Sequence, residues 1–245
     1  MSSHIIAETT RCFEGTLSLL SFRHSLRGSD KSHPESASAC LPLLKWPGGK
    51  RELLPHTTRL LPLNSRRYFE PFVGGGAVFF ATRPRDAFLS DTDSELINCY
   101  IQVRDRPELV IARLASLRNT EEDYYKVRRS IPRTDVGRAA RTIYLATLAF
   151  NGIHRKNTEG QFNVPYGYKW HLRPCDRPRI RAASHALQRT QLRCGDFEIA
   201  VEDAGKRDVV YLDPPYTVAH GNNGFLKYNA KIFSGEMGRG HTFGV

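Results

Sequence analysis

The residues of this chain best suited to chemistry are Asp213, Pro214, Pro215 and Tyr216, which follow an apolar run at residues 209–212. Proline fixes φ and has no N–H to donate, and a residue that precedes a proline is kept out of the helical region. The segment is therefore expected to form a rigid, extended corner at the end of a buried strand. It presents a carboxylate, carbonyl oxygens that have few local donors, and an aromatic ring.

These groups suit an exocyclic amine such as N6 of adenine. Such an amine carries two hydrogens and is a poor nucleophile, because its lone pair is conjugated with the ring. The Asp213 carboxylate and a nearby proline carbonyl can accept both N–H bonds and direct the lone pair at an electrophile. Tyr216 offers a flat face to a base that has left its stack. A chance strand-end turn is the alternative interpretation.

A glycine-rich turn begins at Gly74, between a predicted strand at residues 67–72 and an apolar helix start. Glycines let backbone amides approach a ligand, and a helix N-terminus favours polar or anionic groups. Asp91 ends the next predicted strand 17 residues after Gly74. Nucleotide-binding α/β folds place a ribose-binding carboxylate near that spacing. A plain turn and a helix N-cap are the alternatives, but together the two features predict a nucleoside-type cofactor.

The net charge of +11 is concentrated in the centre of the chain. Residues 125–195 contain 15 Lys and Arg against 3 Asp and Glu, whereas residues 1–42 balance 4 against 4. This distribution is expected of a protein that binds a phosphate backbone, with a basic solvated helix surface as the alternative. Within the basic stretch, residues 151–167 interleave cations, amides and aromatics, which suits contact with base edges or an ordinary glycine-rich hairpin.

Several other classes of protein are disfavoured. The five cysteines are odd in number and include no CxxC pair, so a disulfide framework or a zinc site is not expected. No apolar run approaches the roughly 18 residues of a membrane span. The stretch from Lys45 to Lys50 resembles a phosphate-binding loop, but Arg51 stands where a magnesium-binding Ser or Thr is needed. Trp46 in that stretch is either buried or a lid over a ligand. A cytoplasmic protein is the default expectation.

The order of predicted elements is strand-helix-strand, a helical insert, then helix-strand-strand, which indicates an α/β fold with an insertion. Residues 1–42 are rich in Ser and His, and we expect a disordered extension there. The predicted domains are a first catalytic part at 43–95, a helical target-recognition insertion at 96–176, and a second, incomplete catalytic part at 177–245.

From Leu44 to about Asn229 the chain resembles the Dam-type DNA adenine-N6 methyltransferases. The segment LKWPGGK is similar to the family's N-terminal cofactor motif, YFEPFVGGGAVFF to its glycine motif, and LSDTDSELI to its acidic motif. NGIHRKNTEGQFNVPYG resembles the recognition-domain motif and DPPY the catalytic motif. The order of the motifs also fits the family.

The resemblance implies a Rossmann-like sheet, S-adenosyl-L-methionine as methyl donor, double-stranded DNA as partner, a monomer and no metal. Asp91 would bind the ribose, and Asp196 and Phe197 would lie near the adenine of the cofactor. The full set of implied cofactor residues is Trp46, Lys50, Phe72, Gly74, Asp91, Asp196, Phe197 and Asp213. Asp213, the Pro214 carbonyl and Tyr216 would be catalytic.

The resemblance also implies a set of DNA contacts in and near the insert. Phe150 and Asn151 would fill the opened duplex. Ile153, Arg155 and Pro165 would contact base edges, and Lys45 would face DNA. Several family members methylate GATC, and Arg155 makes that sequence a candidate site here. Mismatch marking, phage defence and partnership with a restriction enzyme are the roles that the resemblance leaves open.

The C-terminal part departs from the family pattern. The chain ends 29 residues after Tyr216 in a glycine-rich tail, whereas the family sheet continues. We therefore expect a truncated chain in which residues 208–213 form an open apolar edge, with marginal folding as a consequence. Two alternative functions remain: an inactive DNA-binding remnant, and a methyltransferase for another exocyclic amine, such as RNA adenine or DNA cytosine N4. The DPPY aspartate and the FNVPYG segment favour DNA adenine.

Overall fold

Five parallel strands form a single sheet in the order β1-β5-β2-β3-β4. The computed structural model describes residues 5–7, 41–46, 54–62 and 65–214. The strands are β1 (Ile5–Ala7), β2 (Tyr68–Glu70), β3 (Ala87–Asp91), β4 (Thr190–Cys194) and β5 (Val209–Leu212). The predicted α/β fold with a Rossmann-like parallel sheet is confirmed. In such a sheet the carboxyl ends of all strands meet at one edge.

Eight α-helices are described. The fourth, fifth and sixth of them along the chain form the bulk of an insert between β3 and β4. The helices are α1 (Leu54–Leu60), α2 (Ala77–Thr82), α3 (Ser94–Asp105), α4 (Pro107–Ala115), α5 (Glu121–Arg129), α6 (Asp135–Leu148), α7 (Arg177–Leu187) and α8 (Phe197–Val201). Pro107 begins α4, so the chain passes from α3 to α4 at this proline. The insert rests on the sheet domain because α6 packs along α3, and α3 packs against β3 and β4.

Two predictions about the ends of the chain need correction. Residues Ile5–Ala7 form β1 and pair in parallel with β5, so these three residues of the segment 1–42 are not unstructured. β5 consequently has a neighbour on each side, β1 and β2, instead of the open apolar edge that we expected. The physical reason is that an unpaired strand offers a row of N–H and C=O groups that another segment can satisfy. The tail from residue 215 lies outside the described residues.

An ion pair at the amino end of the sheet joins β2 to β5. Arg67 directs Nε and one terminal nitrogen at the Asp208 carboxylate, at 3.1 and 2.6 Å, and the Asp208 side chain is only 1% exposed. Backbone bonds between Arg66 and Arg207 and between Val209 and Arg67 flank this pair. Burial alone would raise the pKa of Asp208, but the Arg67 hydrogen bond and nearby positive charges lower it. The carboxylate therefore stays ionised and holds the two strands in register.

Buried tyrosines fix the loop after α6 to the helices of the insert. The Tyr124 hydroxyl donates to the carbonyl of Val164 at 3.0 Å, within the segment predicted to contact DNA. The Tyr166 hydroxyl donates to Oδ1 of Asn119 at 2.6 Å. The Asn119 amide in turn donates to two carbonyls of the following loop, those of Lys169 and Leu172, at 2.9 and 2.8 Å. One amide side chain thus links three parts of the insert.

We predict that Asn119→Asp destabilises the protein by about 2 kcal/mol, because an acceptor replaces the donor that two partly buried carbonyls require. The free energy of unfolding, measured with urea, checks this. Asn98→Asp is the matched control, since the Asn98 amide donates to one carbonyl at an exposed position and its loss should matter less. Equal effects of the two substitutions would show that the Asn119 bonds contribute no more than surface bonds do.

Candidate active site

The glycine-rich turn, Asp91 and Trp46 come together at the carboxyl edge of the sheet. The Gly74 amide donates to Oδ2 of Asp91 at 3.1 Å, and the Gly74 carbonyl accepts from the Tyr100 hydroxyl at 2.7 Å. Gly74 has a φ of +46°, and a Cβ at this position would lie 2.8 Å from Cδ1 of Trp46. Glycine is therefore required by both the backbone conformation and the close indole ring. Three of the predicted cofactor residues form one cluster.

Asp91 is a half-buried carboxylate held by backbone donors. Its Oδ1 accepts from the Asp93 amide at 3.0 Å, in addition to the Gly74 bond at Oδ2. Burial raises the pKa of Asp91, while the backbone hydrogen bonds oppose that rise. A carboxylate has about four acceptor sites, so two amide bonds leave capacity for hydroxyl donors such as those of a ribose.

The turn between β4 and α8 brings two further predicted residues to Asp91. The Gly195 amide donates to the Asp91 carbonyl at 3.1 Å, which fixes the turn beside the end of β3. Asp196 caps α8 and accepts from the Glu198 amide at 2.9 Å. The Phe197 ring stacks on the Phe72 ring with a centroid separation of 5.4 Å. This arrangement fits a purine nucleoside. The Phe72 and Phe197 rings can contact the base, while the Asp91 carboxylate accepts hydrogen bonds from the sugar.

A second buried carboxyl group, which the sequence analysis missed, ends β2. Glu70 is 3% exposed and accepts a hydrogen bond from the Tyr68 hydroxyl at 2.7 Å. Burial, with a smaller contribution from the negative charge of Asp213, raises the pKa of Glu70 to about 8. The available signal was that Glu70 ends a strand and precedes Pro71, just as Asp213 follows β5 and precedes Pro214. Two carboxyl groups therefore end neighbouring strands of the sheet.

The predicted DNA-contacting residues lie in or beside a hairpin of the insert, residues 151–167. Phe150 is half exposed, and its amide donates to the carbonyl of the exposed Pro165 at 3.0 Å. Asn151 is exposed and adopts a positive φ of 52°. Arg155 is exposed, and its Nε donates to Oδ1 of Asn163 at 2.8 Å. By contrast, Ile153 is half-buried against the core, so less of its side chain is open to a partner.

Three contacts connect the hairpin to the carboxyl edge of the sheet. The ring of His154 stacks on Trp46 with centroids 4.2 Å apart and planes 20° apart. The Nζ of Lys156 lies 2.6 Å from Oδ2 of Asp93. A Cβ at Gly152 would lie 2.6 Å from Cδ of Lys45, so backbone and side chain pass closely there. Two of the predicted site residues, Lys50 and Tyr216, lie outside the described residues, as does Pro215.

Other types of site are not found in the parts of the chain that the structure describes. Among these residues no group of three His, Cys, Asp or Glu side chains could hold a metal ion. No helix within the same ranges is long and apolar enough to cross a membrane.

Comparison with known proteins agrees with this geometry. The model of the D12 class N6 adenine-specific DNA methyltransferases matches residues 46–243. The type II methyltransferase M1.LlaDCHI of Lactococcus lactis is 42% identical over 205 residues, covering 80% of this chain and 72% of that protein. The type II methyltransferase M.MjaIII of Methanocaldococcus jannaschii is 35% identical over 216 residues, 79% and 75% of the two chains. A DNA adenine methylase of Haemophilus influenzae is 34% identical over 200 residues, 78% and 69%.

This chain belongs to the D12 class of N6 adenine-specific DNA methyltransferases. The family and the activity expected from the sequence are therefore confirmed. Methyltransferases of this kind use S-adenosylmethionine in general and act on DNA.

We predict that Glu70 makes the stability of the free protein depend on pH. The folded chain holds the Glu70 proton up to a pKa of about 8, compared with about 4.5 for an unperturbed side chain. The stabilising contribution of this group is therefore complete below about pH 4.5 and is lost as the pH rises to about 8. Glu70→Gln should remove that decline and raise the free energy of unfolding at pH 8.5 by about 1 kcal/mol or more, relative to the wild type.

Denaturant unfolding at pH 5, 7 and 8.5 tests this expectation. Glu108→Gln is the control, because Glu108 is an exposed partner of Arg181 and carries no buried proton. A wild-type profile that does not fall between pH 5 and 8.5 relative to Glu70→Gln would contradict the assignment.

Proposed function

We propose that this chain transfers a methyl group from S-adenosylmethionine to N6 of adenine in double-stranded DNA, with GATC as the candidate target sequence. The observation that carries the proposal is the convergence of two sets of residues at the carboxyl edge of the sheet. Gly74, Asp91 and Trp46 form a cluster there that suits a nucleoside. In the basic hairpin of the insert, His154 stacks on Trp46 of this cluster, and Lys156 pairs with the neighbouring Asp93.

The proposed cofactor residues are those that the sequence singled out. When bound, S-adenosylmethionine supplies an electrophilic methyl group on a sulfonium ion. The Asp91 carboxylate would accept hydrogen bonds from ribose hydroxyls, and the Phe72 and Phe197 rings, which stack on each other, would contact the adenine beside Asp196. The fit is supported by Gly74, whose lack of a side chain lets the Trp46 ring lie against the turn beside Asp91. Trp46, Lys50 and Asp213 complete the proposed set.

The proposed catalytic group is the corner that follows β5. Asp213 and the carbonyl of Pro214 accept hydrogen bonds from the two N–H groups of adenine N6 and thereby orient its lone pair. The ring of Tyr216 stacks on the base, which must leave the duplex to reach the corner. Because N6 is neutral and weakly nucleophilic, this positioning and the negative charge of Asp213 account for the catalysis that the protein supplies. Glu70, whose pKa is raised to about 8, stays protonated in the free chain at neutral pH.

The proposed DNA contacts lie on the insert and its entrance. Phe150 and Asn151 occupy the space left by the extruded base, and both are exposed for this purpose. Arg155 pairs with a guanine edge, for which Asn163 orients its guanidinium. Ile153, Pro165 and Lys45 complete the proposed contacts.

The proposed domain arrangement divides the catalytic part into residues 43–95 and 177–245 around a recognition insert at 96–176. We expect the chain to act as a monomer. A cytoplasmic location follows from DNA as the proposed substrate. Relatives named type II methyltransferases support a role in restriction–modification.

We expect labelled methyl groups from S-adenosylmethionine to appear at adenine N6 of unmethylated duplex DNA. Asp213→Ala should lower the rate by about 100-fold or more, because it removes an acceptor and a charge that face the reacting amine. Asp86→Ala is the control: Asp86 forms an exposed ion pair with Arg189 at the amino end of the sheet, opposite the site. DNA binding without any transfer of label would instead support a non-catalytic DNA-binding protein.

Arg155→Ala should lower the preference for GATC over single-base variants of that sequence by about tenfold, because the bidentate contact to guanine is lost. Methylation rates on a set of duplexes measure this preference. Arg189→Ala, at the opposite edge, should leave the preference unchanged. A uniform loss of rate on all duplexes after Arg155→Ala would assign Arg155 to the phosphate backbone and contradict its role in base recognition.

A further inference from the structure

The two arms of the recognition hairpin, residues 151–167, are held together by backbone hydrogen bonds. Backbone bonds join Asn163 to Arg155 at 3.2 Å and Asn157 to Gln161 at 2.8 Å, and an isolated bridge pairs Lys156 with Phe162. Gly160 forms the turn with a φ of +77°. Residues 155–157 of its first arm are therefore paired with residues 161–163 of its second arm.

Alternate residues of this arm face different partners. His154 and Lys156 contact Trp46 and Asp93 at the carboxyl edge of the sheet. The intervening Arg155 is exposed. Successive side chains of an extended strand point to opposite faces, so this division follows from the strand period of two. One strand thus presents one face to the proposed DNA and the other to the proposed cofactor site.

Both partners on the sheet side, Trp46 and Asp93, connect directly to proposed cofactor residues. Trp46 lies against Gly74, closely enough to exclude a side chain there. Asp93 donates its backbone amide to Oδ1 of Asp91 at 3.0 Å, while its own Oδ1 caps α3. A movement of the hairpin therefore displaces Trp46 and Asp93, which touch Gly74 and Asp91 directly.

Burial makes these contacts stronger than ordinary surface contacts. The side chains of Lys156 and Asp93 are 33% and 14% exposed, so their ion pair is only partly screened by solvent. His154 is buried, and burial lowers its pKa to about 4, so a neutral flat ring stacks on Trp46 at neutral pH. Neither residue faces the proposed DNA, and neither has a place in the proposed methyl transfer.

We propose that His154 and Lys156 are positioning residues that couple binding of the cofactor to binding of DNA. The inference rests on the proposed function and adds to it the way in which the two sites communicate. The contacts of His154 with Trp46 and of Lys156 with Asp93 tie the hairpin to groups that adjoin Gly74 and Asp91, so a cofactor that orders those groups also holds the hairpin. Cofactor binding therefore strengthens DNA binding, and DNA binding strengthens cofactor binding by the same factor.

The test measures both affinities on the full chain. The probes are S-adenosylhomocysteine, which cannot react, and a short duplex that contains one GATC. We expect S-adenosylhomocysteine to tighten wild-type DNA binding by about fivefold or more, a typical size for coupled sites. The double variant with His154→Ala and Lys156→Gln should bring this ratio to about one, while it still binds each probe separately.

Conservative variants separate positioning from general stability. His154→Phe keeps a flat ring on Trp46, and Lys156→Arg keeps the charge beside Asp93, so both should retain the wild-type ratio. Glu159→Gln, at the exposed tip of the same hairpin, is the matched control and should also retain it. If the double variant does not fold, the single variants His154→Ala and Lys156→Gln each should lower the ratio by removing one contact.

The outcomes distinguish this inference from the proposed function. A wild-type chain that binds both probes with a ratio of one overturns the coupling and leaves the methyltransferase proposal intact. An unchanged ratio in the folded double or single variants likewise overturns the assignment of the two residues. A folded wild-type chain that binds neither probe overturns the proposed function itself.

Discussion

The ion pair between Arg67 and Asp208 sets the register on which the site depends. It lies at the amino end of β2 and β5, where the two strands begin, and the Asp208 carboxylate is withdrawn from solvent. Parallel strands that are aligned at one end are aligned at the other. Glu70 and Asp213 therefore meet at the carboxyl edge because Arg67 and Asp208 meet at the opposite one. A one-residue slip would turn the side chains of β2 from one face of the sheet to the other.

Charge is divided between the two halves of the molecule in a way that suits two different ligands. The carboxyl edge of the sheet carries Asp91, Asp93 and Asp213, whereas the insert carries the excess of Lys and Arg. A sulfonium cofactor is cationic and DNA is anionic, so each proposed ligand is attracted to its own side. The ion pair of Lys156 with Asp93 lies where the two regions meet.

The sheet and much of the site could be predicted from the sequence because local patterns encode them. Apolar runs that end at glycine, proline or a carboxylate located β2, β3 and β5, and Gly74 and Asp91 followed from their spacing. α5 was missed because most of its residues are charged and Tyr124 is its single buried residue, so it shows no apolar periodicity. The Thr120 cap, with acidic residues in the first turn and basic ones in the last, was the signal available.

Long-range contacts were beyond local patterns. Trp46 and His154 are 108 positions apart in the chain, and nothing near either residue indicates that their rings stack. The pairing of Ile5–Ala7 with β5 spans even more of the chain, and three residues carry too little periodicity to identify a strand. Glu70 was overlooked for a different reason. A carboxyl group inside an apolar strand end is recognised as buried and protonated only once its neighbours are known.

The alternation along residues 153–156 restricts how this recognition segment can change during evolution. Substitutions at positions 153 and 155 can alter the proposed base preference while positions 154 and 156 keep their contacts with the sheet domain. Insertion or deletion of a single residue before position 154 would exchange the two faces and direct the base-contacting side chains at the cofactor site. New target sequences are therefore reached by substitution within a hairpin of constant length, or by changes of two residues at a time.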